Sequence, residues 1–124
     1  NTLLLIREAR KMGINRIIVT HPVNRMSFEQ QQEAAKMGAY LEYCYGTTLE
    51  YAGKGRRTLA EYAKLMKALG PEYCIMSSDL GNAVNPVHPA GFKSYIAGLL
   101  EAGITQQEID VMLKRNPARL LDLE

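Results

Sequence analysis

Two side chains that commonly bind metals stand just after hydrophobic runs of the sequence. His21 follows the β-branched run at residues 16–20, and Asp79 follows the run at residues 73–77. In folds with parallel strands the working residues lie at the carboxyl ends of the strands, and imidazole and carboxylate groups both suit zinc and similar ions. The pattern predicts half of a divalent-metal site. Spacing alone leaves two alternatives open, a structural hydrogen-bonding role for His21 and a turn or helix-cap role for Asp79.

Weaker candidates surround this pair. Glu42 and Cys44 lie two residues apart on a predicted strand and therefore share one face of it. Glu42 is a weak candidate for contact with substrate; it points either into the interior of a barrel or toward a helix, and it needs a hydrogen-bonding partner if it is buried. The alternative is a strand carboxylate that is hydrogen-bonded to a neighbour. Cys44, like Cys74, is more typical of a packed residue than of a ligand. His88 lies between two prolines in the loop after Asp79, where it contacts substrate, completes the metal shell or is a plain loop residue.

A basic segment at residues 53–57 follows the second predicted strand. It is not a phosphate-binding P-loop, because its Gly-Lys pair is not followed by Ser or Thr and opens no helix directly after a strand. Lys54 and Arg56 are nevertheless candidates for contact with an anionic group of the substrate. The alternative is a solvated cluster of charges.

The elements that must position these side chains alternate between helix and strand. Short runs of β-branched and aromatic residues predict strands, and capping boxes at Ser27, Thr58 and Thr105 predict the starts of helices. Helical crossovers of this length join parallel strands. The predicted strands are residues 16–20, 39–45 and 73–77, the first predicted helix is residues 2–12, residues 46–57 are predicted to be irregular, and Asn116 is predicted as the N-cap of the last helix.

The composition is that of an ordinary folded domain, and it excludes several classes of function. The 124 residues are predicted to form a single segment, with 47% hydrophobic and 23% charged residues and a net charge of +2, which excludes a disordered chain. The balanced charge argues against a nucleic-acid partner, and the absence of a long apolar segment argues against a membrane. Two cysteines in a chain of this size favour a reduced compartment, so a cytoplasmic location is expected.

Three parallel strands make an incomplete sheet. They leave two open edges next to apolar residues, which is an association hazard. A (β/α)8 barrel has ~250 residues, so this chain is about half of one; the alternative is a small three-layer α/β sheet. We therefore expect self-association or a missing N-terminal half-barrel, and the start at Asn1 rather than at Met favours a segment of a longer protein.

Four strings of residues carry a resemblance to a known family. They are Arg-Ile-Ile-Val-Thr-His-Pro at 16–22, Gly-Ala-Tyr-Leu-Glu at 38–42, Ile-Met-Ser-Ser-Asp-Leu-Gly at 75–81 and Asn-Pro-Ala-Arg-Leu-Leu at 116–121. Together they resemble the C-terminal half of an amidohydrolase-superfamily enzyme, and they are most similar to phosphotriesterase-like metal-dependent hydrolases. The resemblance implies a partial (β/α)8 barrel in which the three strands are the sixth, seventh and eighth, with flanking helices and a C-terminal helical tail.

The resemblance also implies roles for individual residues. His21 matches the metal-binding histidine of the sixth strand, and Asp79 matches the eighth-strand aspartate that contacts the metal and takes a proton from the attacking water. The implied cofactor is a divalent metal, zinc in the first place, which lowers the pKa of water. The family's first-strand His-x-His pair, fourth-strand bridging residue and fifth-strand histidine have no counterpart in these 124 residues. This chain alone is therefore expected to be inactive and to hold no metal.

Two functions from different classes follow. The first is a metal-dependent hydrolase of amidohydrolase type, which cleaves an amide, ester or phosphoester bond of a small-molecule substrate and of which this chain supplies part of the site. The second is a non-catalytic α/β binding or oligomerisation module, derived from a truncated or degenerate barrel. Specificity in such barrels depends on loops, so the sequence indicates the class of reaction and not the substrate.

Overall fold

The computed structural model describes residues 1–123, apart from the side chain of Tyr51. Helices and strands alternate as far as the third strand, and the last third of the chain is helical. Each strand begins and ends within one residue of its predicted bounds. The helices are α1 (Thr2–Lys11), α2 (Pro22–Arg25), α3 (Phe28–Lys36), α4 (Leu59–Leu69), α5 (His88–Glu101), α6 (Gln106–Asp110) and α7 (Asn116–Leu120), and the strands are β1 (Ile17–Thr20), β2 (Ala39–Cys44) and β3 (Cys74–Ser77).

The three strands form one parallel sheet in the order β1-β2-β3. Thr20 of β1 lies opposite Glu42 of β2, and Cys44 of β2 lies opposite Ser77 of β3. The predicted α/β class and the predicted parallel pairing are confirmed. Because the strands run in the same direction, their carboxyl ends meet at one end of the sheet, and residues that follow the strands are brought together there.

Three helices begin with the predicted capping boxes. The hydroxyls of Ser27, Thr58 and Thr105 each accept a hydrogen bond from the backbone amide three residues further on, and the side chain at that position accepts one from the amide of the capping residue. Each box satisfies two amides that would otherwise lack a partner at the start of the helix. A cap of this kind stabilises a helix by ~1 kcal/mol.

The two faces of the sheet have different surroundings. On one face Ile18 and Thr20 are exposed, Tyr40 and Glu42 are partly exposed, and Ile75 is buried but lies outside the main hydrophobic cluster. The opposite face packs against buried residues of the helices in a single core. The helices therefore cover one face and leave the other largely open. The residues on the covered face are Ile17, Val19, Ala39, Leu41, Tyr43, Cys74 and Met76.

Buried tyrosines tie the middle strand to the helices. Tyr62 of α4 donates a hydrogen bond to the carbonyl of Cys44 at 3.0 Å, and Tyr95 of α5 donates one to the carbonyl of Tyr43 at 2.9 Å. The Tyr43 hydroxyl in turn donates to Gln31 of α3 at 2.7 Å. A buried tyrosine that satisfies its hydroxyl combines a large apolar contact with a directed bond. These bonds fix the carboxyl end of β2, where the candidate site begins.

The segment after β2 differs from the prediction. Residues 46–57 were expected to be irregular, but they contain most of two 3-10 helices, Tyr45–Thr48 and Glu50–Gly55. Such short helices bond residues three apart and carry no long apolar period, which is why their composition is typical of a loop. Gly53, with φ of 56°, supplies the kink within the second of them. The first 3-10 helix buries Thr47 next to β1 and β2.

The predicted role of Asn116 is wrong. The chain does not begin a new helix there, because a π-helical turn, Val111–Arg115, joins α6 to α7 without a break. Asn116 is fully buried, and its amide nitrogen donates to the carbonyls of Pro71 and Cys74 at 2.8 and 2.6 Å. Its side chain therefore satisfies the backbone at the start of β3 instead of capping a helix.

No helix in the described part of the chain is long and apolar enough to cross a bilayer. The 14 residues of α5, for example, fall short of the ~20 that a membrane span requires.

Candidate metal centre

One potential metal ligand lies at or just after the carboxyl end of each strand. His21 directly follows β1, Cys44 is the last residue of β2, and Asp79 follows β3 by two residues. One ligand atom from each of the three lies within 4.8 Å of the other two. We call this group the His21–Cys44–Asp79 cluster. The predicted proximity of His21 and Asp79 is confirmed, since Nε2 of His21 lies 3.6 Å from Oδ2 of Asp79; their role as metal ligands stays a prediction.

Both of these residues have a left-handed backbone conformation. The φ angles are 55° at His21 and 50° at Asp79, and the third non-glycine residue with positive φ in the described chain is Asp122. This conformation costs roughly 1–2 kcal/mol for a residue with a Cβ atom, although His and Asp tolerate it better than most. Backbone strain of this kind accumulates at binding sites. At both positions the left-handed conformation turns the backbone away from the direction of the strand, while the side chain stays at the end of the sheet.

The ring of His21 is held from its other side. Its Nδ1 lies 3.3 Å from Oγ1 of Thr47, which is buried in the first 3-10 helix. The side chain of Thr47 also lies near that of Tyr62, whose hydroxyl donates to the carbonyl of Cys44 at 3.0 Å. A proton on Nδ1, donated to Thr47, would leave the lone pair of Nε2 free to bind a cation beside Asp79, because a neutral imidazole carries its proton on one nitrogen.

The loops that carry the cluster are bonded to each other. The amide of Gly46, two residues after Cys44, donates to the carbonyl of Ser78, which directly precedes Asp79, at 2.9 Å. The amide of His21 continues the sheet by donating to the carbonyl of Glu42 at 3.2 Å. The spacing of the three side chains is therefore fixed by backbone bonds beyond the strands.

The three side chains differ in their access to solvent. The side chain of Asp79 is 53% exposed and that of His21 is 28% exposed, whereas Cys44 is 2% exposed. Burial raises the pKa of the Cys44 thiol to about 11, although a hydrogen bond from Ser77 acts in the opposite direction. A buried, protonated thiol is a poor nucleophile, so the cluster is not arranged for attack by cysteine.

The donor set fits a zinc-like cation. Histidine nitrogen, cysteine sulfur and carboxylate oxygen are the three ligand types that zinc takes from proteins. Two ligands at ~2.0–2.1 Å from a tetrahedral ion are ~3.4 Å apart, and a sulfur at ~2.3 Å lies ~3.6 Å from either of them. The separation of 3.6 Å between His21 and Asp79 is close to this distance, and the upper limit of 4.8 Å for the cluster requires an adjustment of about one ångström.

Cys44 is the member of the cluster whose position the sequence did not reveal. The expectation that it is packed is confirmed by its burial, yet its sulfur also lies beside the two predicted ligands. Thr47 was missed altogether. The sequence feature that could have indicated both residues is their position, since Cys44 ends β2 and Thr47 follows it by three residues. Cys74, by contrast, lies in the hydrophobic core as expected.

The structure determines the orientation of Glu42. Its side chain lies on the open face of the sheet, and it accepts a hydrogen bond of 2.6 Å from the hydroxyl of Thr20. The expectation that it has a partner is therefore confirmed. Glu42 is not a member of the His21–Cys44–Asp79 cluster, and its predicted contact with substrate is untested.

The remaining candidates lie outside the cluster. His88 begins α5, and its ring stacks on Phe92 with centroids 5.4 Å apart. Lys54 is exposed in the second 3-10 helix, and Arg56 donates from Nε to the carbonyl of Thr48 at 3.0 Å. Arg56 also lines an open cleft of about 610 Å³ after β2. Contact of these residues with substrate stays a prediction.

Comparison with known proteins gives little further information about function. Residues 1–42 match the model of a family of unknown function, DUF6282. This match covers about a third of the chain; it includes His21 and ends before Cys44 and Asp79. No curated protein matches the chain.

Proposed function

We propose that this chain is part of a metal-dependent hydrolase of amidohydrolase type. The observation that carries the proposal is the convergence of His21 and Asp79, 3.6 Å apart, at the carboxyl end of a parallel sheet. Metal-dependent hydrolysis needs nitrogen and carboxylate ligands at a solvent-accessible end of the fold, with an open coordination position for water and substrate. The exposure of Asp79 is consistent with such an opening.

In this proposal the sheet is a segment of a (β/α)8 barrel, and its three strands are the sixth to eighth. The covered face of the sheet carries the helices, and the open face is the interior of the barrel. A doubly wound sheet has helices on both faces, so the one-sided cover found here favours a barrel. The open edge of β1 is where a fifth strand would pair.

His21 and Asp79 would hold the cation, and Asp79 has a second task. When bound, a divalent ion supplies positive charge that lowers the pKa of water and polarises the scissile bond. The carboxylate of Asp79 accepts the proton of the attacking water, for which its exposure to solvent is suitable. Thr47 keeps the ring of His21 in one orientation. The substrate is a small molecule with an amide, ester or phosphoester bond, and Lys54 and Arg56 meet an anionic group on it.

The test compares two substitutions with one control in the chain at its full natural length. His21→Ala and Asp79→Asn are each expected to abolish metal-dependent hydrolysis of a panel of ester, amide and phosphoester substrates. Circular dichroism is expected to show that the fold stays intact in both variants. Asp122→Asn is the matched control, because Asp122 also has a positive φ but pairs with Arg16 away from the cluster. Full activity in either His21→Ala or Asp79→Asn would rule out the proposed mechanism.

A second candidate is a non-catalytic oligomerisation module. An apolar groove of about 390 Å³ runs along β1 and α1. Leu5 and Ile18, which line it, are 69% and 41% exposed. An exposed strand edge beside apolar side chains favours pairing with another chain. Association of the protein with itself, combined with failure to bind any divalent cation, would favour this candidate over the hydrolase.

A further inference from the structure

Cys44 occupies the central position of the candidate site. β2 lies between β1 and β3, with ~4.8 Å to each neighbour, and Cys44 is its last residue. Its sulfur lies within 4.8 Å of the ligand atoms of both His21 and Asp79. We propose, on the basis of the proposed function, that Cys44 is the third protein ligand of the cation and binds it as a thiolate. This ligand gives the site a preference for thiophilic ions such as Zn²⁺ and Co²⁺ over Mg²⁺.

The geometry favours a ligand from the middle strand. His21 and Asp79 follow the strands on either side of β2, so their side chains have to reach toward each other across the end of β2. A cysteine at the end of β2 meets them halfway, and its short side chain can bind without a long reach. Three protein ligands with a fourth position left for water or substrate is the usual arrangement of a catalytic zinc site.

The surroundings of the sulfur are those of a ligand. The hydroxyl of Ser77, which pairs with Cys44 across the sheet, donates a hydrogen bond to Sγ at 3.2 Å. A donor to sulfur stabilises a thiolate and holds it in one orientation. The Ser77 hydroxyl is therefore an outer contact of the kind that a metal-bound cysteine needs.

The second cysteine of the chain has different surroundings and supplies an internal comparison. Cys74 belongs to the hydrophobic core and donates its own proton to the carbonyl of Gly70 at 3.5 Å. Cys44 is as deeply buried, but it lies outside that core cluster and its sulfur accepts a hydrogen bond from Ser77. Packing alone accounts for Cys74, whereas Cys44 also has polar neighbours that suit a ligand.

The preference for soft cations follows from the ligand. A thiolate binds zinc and cobalt strongly, whereas Mg²⁺ prefers oxygen ligands and keeps several of its waters. On binding, the S–H bond of Cys44 breaks, a lone pair of the sulfur forms the bond to the cation, and the proton passes to the solvent. Each ion bound therefore releases one proton from Cys44.

The experiment is a titration of the metal-free protein with Co²⁺, followed by competition with Zn²⁺, in the chain at its full natural length. The wild type and the control variant Cys74→Ser are expected to show the near-ultraviolet absorption of a thiolate-to-cobalt transition. Cys44→Ser is expected to lose that absorption. Its affinity for Zn²⁺ should fall by more than the ~10–100-fold that loss of an outer contact costs.

A measurement on Cys74→Ser alone covers the case in which Cys44→Ser does not fold. Its X-ray absorption spectrum with bound Zn²⁺ should show one sulfur at ~2.3 Å. Binding of Co²⁺ without the thiolate absorption, or absorption that persists in Cys44→Ser, would overturn the role of Cys44 and leave the proposed hydrolase intact. Failure of the wild type to bind either ion would overturn both.

Discussion

Replacement of Thr47 by valine tests whether the orientation of His21 depends on its buried neighbour. The substitution keeps the volume of the side chain and removes the oxygen that lies 3.3 Å from Nδ1. Loss of an outer partner of a metal-binding histidine weakens metal affinity by ~10–100-fold, which is ~1.4–2.8 kcal/mol. We expect an effect near tenfold, because the contact is long and the side chain of His21 is 28% exposed, so water can partly replace the hydroxyl.

The assay is the dissociation constant for Zn²⁺, measured by competition with a chromophoric chelator at constant pH. Thr47→Ser retains the hydroxyl and should bind Zn²⁺ like the wild type. Thr48→Val is the matched control, because Thr48 is also buried but its hydroxyl donates to the carbonyl of Tyr45 at 2.8 Å. This control should lose ~1 kcal/mol of stability and no affinity. Unchanged affinity in Thr47→Val, or an equal loss in Thr48→Val, would refute the orienting role of Thr47.

Two other predictions concern stability and assembly. In the capping box of α4 the hydrogen bonds from Thr58 hold the pKa of Glu61 below its ordinary value of 4.5. The stabilising contribution of its charge is therefore present above pH 4.5 and lost as the pH falls through the folded-state pKa. The wild type should unfold at a higher temperature than Glu61→Gln at pH 7 and at the same temperature at low pH. A higher unfolding temperature of the wild type that persists in acid would contradict this. Sedimentation is expected to detect concentration-dependent association of the 124-residue chain. Ile18→Lys places a charge on the exposed edge strand, so it should reduce this association. A wild type that stays monomeric at high concentration would disprove the predicted association.

Sequence patterns were sufficient for the framework and for two members of the cluster. The strands are local runs of β-branched and aromatic residues, and the capping boxes are local hydrogen-bonding patterns, so both are written within a few consecutive residues. His21 and Asp79 could be placed together because the rule for parallel strands brings residues that follow alternate strands to one end of the sheet.

The rest depended on contacts between distant residues. The place of Cys44 beside Asp79 depends on the register that sets Cys44 opposite Ser77, and register is not encoded in either strand alone. Thr47 reaches His21 because a 3-10 turn folds back after β2, and such a turn has no periodic signal. Asn116 was assigned from the local Asn-Pro pair, whereas its position is decided by carbonyls of Pro71 and Cys74, more than forty residues away.

Successive residues of a strand face alternately the covered and the open side of the sheet, so neighbouring positions differ in how freely they can be substituted. Along β2, a change at Leu41 or Tyr43 disturbs side chains contributed by several helices, so the choice of residue there is tightly limited. Tyr40 and Glu42, on the intervening positions, can change in size and charge with little effect on that packing. Substitutions at Tyr40 and Glu42 can therefore alter the open face of the sheet, while Leu41 and Tyr43 preserve the architecture.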